Sequence, residues 1–325
     1  MAIPLTLAIS EYEHVRDLVT GTVKPDAIDL KTMTLPVEDI FRRFLREGEW
    51  DAAEMSMGMY AAMRARDDTS LGAIPVFPSR MFRQSAVYVR ADSPVRSPQA
   101  LAGRRVGLPQ WSQTTMIYVR GWLSDDLGIG LRGIHWIQAG VDSPGQREPV
   151  PIRVPDGVEL TPVADRSLSQ LLLAGEIDAL ISSHPPAAAR DGRIVRLIED
   201  GPAYEADYHA RTGLFPIMHL VCVREAVLRR SPDLAPALLA AFEAAKAGAL
   251  RRLTDVNTSR LPVPWLAELI GRHRDEFFAG GPYWPYGLAA NRRTLETFLR
   301  WCHEQGVCAR RLSAEELFPP ALHGS

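Results

Sequence analysis

The sequence is poor in cysteine: Cys222, Cys302 and Cys308 make an odd count without a C-x-x-C pair. Neither a disulfide framework nor a zinc finger can be written with them, and a reducing compartment fits best. No stretch approaches the roughly 18 consecutive apolar residues that a membrane helix needs. The first ten residues lack a basic start, and their apolar run stops at Glu11 before any cleavage pattern, so they read as a strand. A cytoplasmic protein is the expectation. An excess of one charge is also missing, since 37 Lys+Arg against 39 Asp+Glu leave a net charge of −2. Without a basic field to hold phosphates, neither nucleic acid nor a membrane is an expected partner. Internal repeats and low-complexity tracts are absent. P-loop, H-E-x-x-H and G-x-S-x-G patterns are absent too, which withdraws the usual support for P-loop nucleotide binding, zinc proteolysis and α/β-hydrolase chemistry.

What is present is an ordinary globular composition, 46% hydrophobic and 23% charged over 325 residues, enough for two domains. Short apolar runs alternate with helical patterns, which predicts an α/β protein with mostly parallel sheets. Strands are expected at residues 5–9, 28–33, 52–55, 73–76, 85–89, 133–138, 179–182 and 218–223, with a short one near Val158 inside a loop spanning 142–162. Helices are expected at 12–19, 37–46, 57–66, 114–125, 168–174, 234–253, 265–278 and 292–304. Ser93-Pro94 and Ser97-Pro98 punctuate the chain after the fifth run. The expected plan is two-lobed: residues 1–90 and 220–325 form one lobe with a helical C-terminal tail, and 91–219 form the other. Two strands act as the hinge, and ligand sits in the interlobe cleft outside the carboxyl ends of strands. Gly128-Ile129-Gly130-Leu131-Arg132-Gly133 spells a dinucleotide fingerprint, but a helix precedes it and a strand follows, the reverse of what that fingerprint requires.

Several residues can carry chemistry in such a cleft. Phe77-Pro78-Ser79-Arg80-Met81-Phe82-Arg83 follows a strand, and its two guanidiniums suit a carboxylate held in a partly dry place. His219, just inside an apolar strand at the hinge, suits proton exchange, although a core histidine bonded to a carbonyl is the bland alternative. Glu54 is a lone carboxylate in the apolar run Ala52-Ala53-Glu54-Met55, so it is paired, or an acid, or an acceptor for backbone N–H groups. The turn Gln110-Trp111-Ser112-Gln113-Thr114 offers N–H groups and hydroxyls to an anion, and Trp111 offers a ring face or a core filler. His184 in Ser183-His184-Pro185-Pro186 is a second candidate proton carrier, and His14 completes the histidines near the cleft. His14, His184 and His219 could share a divalent metal, though no spacing signals one.

At these segments the sequence resembles the 4,5-dihydroxyphthalate decarboxylase family over nearly its whole length. The resemblance is carried by D-x-x-E-M-S at 51–56, F-P-S-R-M-F-R at 77–83, Val119-Arg120-Gly121, Ile134-His135-Trp136, G-E-I-D-A-L-I-S at 175–182 and R-T-G-L-F-P-I-M-H at 211–219. It implies a type 2 periplasmic-binding-protein-like fold and the loss of one carboxylate from 4,5-dihydroxyphthalate to give protocatechuate, with no organic cofactor. Family members often have Arg-Ala-Pro where this chain has Ser183-His184-Pro185-Pro186. On this basis His219, His184 and Glu54 are the expected proton-handling residues. Arg80, Arg83, Ser79, His14, Trp111, Gln113 and Thr114 are the expected substrate contacts. The alternatives are a non-catalytic receptor for a small carboxylate and a decarboxylase of a related ring; a homo-oligomer is compatible with either.

Overall fold

A computed structural model, describing residues 2–145 and 147–325, organises the chain around two sheets. The first holds β1 (Ile3–Ile9), β2 (Ile28–Thr34), β3 (Ala52–Ser56) and β4 (Leu71–Ile74). The second holds β5 (Val87–Arg90), β6 (Arg105–Leu108), β7 (His135–Gln138), β8 (Leu160–Pro162), β9 (Ala179–Ile181) and β10 (Ile194–Arg196). The chain then returns to the first sheet through β11 (His219–Arg224), giving the order β2-β1-β3-β11-β4 beside β10-β5-β9-β6-β7-β8. In the first sheet β1 runs parallel to β2 and β3, and β11 runs against β3 and β4. In the second, β9, β6, β7 and β8 are parallel and β5 opposes β9 and β10.

The two-lobed α/β plan is therefore observed, with one change at the crossing. A lobe boundary at residue 90 puts β5 in the first lobe, whereas β5 hydrogen-bonds to β9 and β10 of the second. Val87, Tyr88 and Val89 are apolar and buried whichever sheet they join, so only the partner strand decides. The short strand in the 142–162 loop lies at Leu160–Pro162 instead of near Val158, and β10, three residues long, escapes the sequence pattern.

Among the described residues six helices have eight or more residues. They are α1 (Met57–Arg64), α2 (Thr114–Leu127), α3 (Gly201–Thr212), α4 (Leu234–Leu253), α5 (Leu266–Phe278) and α6 (Arg292–Glu304). Helix α3 has no counterpart in the expected elements, yet it carries its own signals. Asp200 caps it by accepting from the Ala203 N–H at 3.0 Å, a proline stands in its first turn, and Gly213 ends it at φ 66°. Gly128 likewise caps the C-terminus of α2 in the left-handed region, which accounts for the first glycine of the pseudo-fingerprint.

Helix α6 holds the lobes together. It packs on α1 beside the first sheet and on α2 beside the second. Phe298 stacks on Tyr118 with ring centroids 4.8 Å apart, and the Trp301 indole N–H donates to Asp125 at 3.0 Å. Gly121 allows this approach, because a Cβ there would stand 2.2 Å from Trp301 Cδ2. No described helix is long and apolar enough to cross a membrane, and all three cysteines are free and buried.

Candidate active site

Strand β3 is buried along its whole length, so a carboxylate in it must find partners inside the protein. Glu54 finds three. It accepts from the Ser10 N–H at 2.9 Å and the Tyr12 hydroxyl at 2.6 Å, both just beyond the end of β1, and lies 2.6 Å from His219 Nδ1. The register explains the third. His219 pairs with Ser56 across the antiparallel β3–β11 ladder, which places it diagonally opposite Glu54 on the same sheet face. Burial and the charge of Glu54 both drive the Tyr12 hydroxyl's pKa up, so it remains a donor. With Nδ1 committed to Glu54, Nε2 is the nitrogen His219 can offer to a ligand.

His219 lines a cleft of about 390 Å³ between the sheets, a size suited to a small ring. Its ring meets the edge of Phe41 at 5.1 Å. Tyr12, Ser79, Arg83, Gln113, Thr114, Ser183 and His184 also line the cleft. Burial lowers the Arg83 pKa to about 10, which leaves the guanidinium charged at neutral pH. Its Nη1 donates to the Ser183 carbonyl at 3.3 Å and its Nε points at Met218 Sδ at 3.1 Å, so it is placed by neutral groups and keeps its charge for a ligand. Gln113 reaches the Ser183 hydroxyl at 3.4 Å, which brings the start of α2 beside Arg83. Thr114 and Thr115 supply first-turn N–H groups there, which a helix leaves without internal acceptors. The Thr114 hydroxyl itself is engaged, accepting from the Gly58 N–H at 3.0 Å and lying 3.0 Å from Ser56 Oγ. Ser79 contributes its carbonyl to the hinge, accepting from the Met218 and His219 N–H groups at 2.9 and 3.2 Å.

Three expected substrate contacts, Arg80, His14 and Trp111, fall elsewhere, and the expected proton carrier His184 lies at the edge. Arg80 and Arg83 are an odd number of residues apart in an extended segment, so they face opposite sides. Ser79, Met81 and Arg83 line the cleft, while Arg80 turns away and donates to Asn291 Oδ1 at 2.8 Å and the Phe215 carbonyl at 2.7 Å. His14 lies behind Tyr12, with ring centroids 5.3 Å apart, and packs on Trp284 at 5.6 Å. Burial lowers its pKa to about 4, so it is a neutral, partly buried imidazole outside the cleft lining. Trp111 is fully buried under the Arg120 guanidinium, 3.9 Å away, and donates to the Gln305 carbonyl at 2.7 Å. His184 stands at the cleft mouth, 77% exposed, with Nε2 3.7 Å from Glu38.

The turn before α2 already holds an anion of the protein's own. Glu148 accepts from the Trp111 N–H and from the N–H and hydroxyl of Ser112, the last two at 3.0 and 2.6 Å. The only way to see this in the sequence would be to know that the 142–162 loop folds back onto the turn. Tyr12, the second side chain on Glu54, was equally hidden, its single signal being a position just after β1. His14, His184 and His219 do not converge, and among the described residues no three His, Cys, Asp or Glu side chains are grouped as a metal site would need.

No protein-family model matches the chain. The 4,5-dihydroxyphthalate decarboxylase of Comamonas testosteroni is 36% identical over 320 residues, 98% of this chain and 96% of that protein. The 4,5-dihydroxyphthalate decarboxylase of Pseudomonas putida is 32% identical over 209 residues, 63% of this chain and 81% of that protein. Among solved structures, the periplasmic aliphatic sulphonate binding protein SsuA of Escherichia coli superposes with a TM-score of 0.54 at 12% identity, covering 100% of both chains. That likeness establishes the two-lobed binding-protein fold.

Proposed function

The chain belongs to the 4,5-dihydroxyphthalate decarboxylase family, and from that premise we propose that it is a carboxy-lyase converting 4,5-dihydroxyphthalate to protocatechuate and carbon dioxide. The observation that carries the reading is the 2.6 Å contact between His219 Nδ1 and the buried Glu54, in a cleft whose guanidinium is Arg83.

The substrate is a flat ring with two neighbouring carboxylates, each para to a hydroxyl. Arg83 takes the carboxylate that stays, in a bidentate or single charge-assisted contact, with the first turn of α2 adding its N–H groups. The ring then presents the other carboxyl-bearing carbon to His219 Nε2. The protonated imidazole delivers its proton to that carbon, and the para hydroxyl stabilises the resulting ring cation. The bond to the carboxylate breaks, its electron pair returns to the ring, and carbon dioxide leaves. One proton is consumed, and the neutral imidazole keeps Nδ1–H on Glu54 until Nε2 is reprotonated from solvent. Glu54 fixes the ring's orientation and stabilises its charged form, and Tyr12 and Ser10 hold Glu54 in turn. Phe41, Met59 and Met218 supply an apolar wall where a departing carboxylate loses its hydration.

Three free, buried thiols support placing the reaction in the cytoplasm. The test is to incubate purified protein with 4,5-dihydroxyphthalate and follow protocatechuate and carbon dioxide. His219→Asn and Glu54→Gln should cut turnover by about 100- to 10,000-fold while leaving substrate binding largely intact. Undiminished turnover in His219→Asn overturns the assigned proton donor, and binding without product in the parent protein points to a receptor. Activity before and after chelation tests for a divalent metal.

A further inference from the structure

The segment that sends Arg83 into the cleft sends Arg80 to its other face, and that face also carries a cavity, of about 450 Å³. Six aromatic side chains line it: Phe82, Phe215, Phe277, Phe278, Tyr283 and Trp284. Phe82 and Phe215 lie 5.0 Å apart by ring centroid, and Phe215 meets Trp284 edge-on at 5.4 Å. Helix α5, which contributes Phe277 and Phe278, buries no residue fully, so these rings cover the cavity without being locked into the core.

Arg80 is what makes this cavity more than a gap in the packing. It is 5% exposed and lines the cavity, with its guanidinium 4.4 Å over the Phe215 ring. Its donors go to neutral acceptors: Asn291 Oδ1, the Phe215 carbonyl and, at 3.4 Å, the Pro285 carbonyl. Its Nε has no partner among the described residues, and its engaged donors meet neutral groups alone. Glu205, the one acidic residue lining the cavity, is taken by the N–H and hydroxyl of Ser85 at 3.0 and 2.7 Å. A buried cation without a counter-charge is unfavourable unless an anion completes it. Arg196, which also lines the cavity, adds a second positive charge.

We propose that this cavity is a second ligand site, separate from the catalytic cleft, for a flat aromatic monocarboxylate whose ring lies among the phenylalanines and whose carboxylate faces Arg80. The ring faces supply stacking, and the guanidinium supplies the charge-assisted contact. Met81 lines both this cavity and the cleft, so occupancy here is positioned to be felt by Arg83 two residues on.

The experiment is calorimetric titration of the full-length protein with 2-naphthoate, in the parent, in Phe277→Ala and in Arg83→Ala. Phe277 stands on a helix with no fully buried residue, so its variant keeps the fold, which far-ultraviolet circular dichroism verifies. Binding to the parent, weakened about 10-fold in Phe277→Ala and unchanged in Arg83→Ala, is the expected result. Absence of binding at millimolar concentrations overturns the proposal. So does binding that Arg83→Ala abolishes or that Phe277→Ala leaves intact, since the ligand then occupies the cleft or another surface.

Discussion

His14 gives the sharpest quantitative test of the boundary between site and core. Its imidazole is packed between Tyr12 and Trp284, its Nε2 has no partner, and burial lowers its pKa from 6.5 to about 4, against a smaller upward pull from the Pro78 carbonyl. An imidazole with a lower pKa in the folded state binds fewer protons there than in the unfolded chain. Stability is therefore intact above about pH 6.5, declines as pH falls, and has lost the full increment below about pH 4. At about 1.4 kcal/mol per pH unit, His14 accounts for a loss of about 2 kcal/mol between pH 7 and pH 5. Replacing it by Phe keeps an aromatic ring against both neighbours and removes the titration. Urea unfolding of parent and His14→Phe at pH 7 and pH 5 reads the difference directly, because every other titrating group is common to both. The variant should lose about 2 kcal/mol less than the parent over that interval, with turnover at pH 7 within about 3-fold. Equal losses in the two proteins would refute the buried neutral imidazole, and a collapse of turnover would return His14 to the active site.

Two further outcomes test the cleft and its frame. Arg83→Ala should weaken binding of an aromatic dicarboxylate about 30- to 100-fold, since a charge-assisted contact is lost, and isothermal titration measures it. Gly121→Ala should destabilise the fold by about 2 kcal/mol or more despite alanine's better helix propensity, because its Cβ would stand 2.2 Å from the Trp301 ring. A thermal scan showing an unchanged or higher melting temperature would contradict the packing of α6 on α2.

Much of the family pattern turns out to be scaffolding. Arg120 donates to Gln305 Oε1 at 2.8 Å and to the Trp111 carbonyl at 2.6 Å, and Gly121 admits Trp301. Such residues join α2 to the tail, and their place in a motif signals the fold's construction as much as its chemistry.

Local pattern was enough for most strands and helices, because periodicity and end signals are properties of neighbouring residues. It was also enough to single out Glu54 and His219. A carboxylate in an apolar strand has to be partnered, whereas the histidine at the strand end stayed open between proton exchange and a core imidazole bonded to a carbonyl. The partnership itself belongs to the tertiary structure. It depends on β11 lying against β3 in the register that sets His219 opposite Ser56, a contact between segments 165 residues apart. The same holds for the two arginines, which look like a pair in one dimension and are divided by the alternation of an extended chain. It holds for the turn before α2, whose donors were free in the sequence until Glu148 folded onto them. Sequence determines which groups need a partner, through burial and charge; which partner each receives is decided by the long-range packing that brings distant segments together.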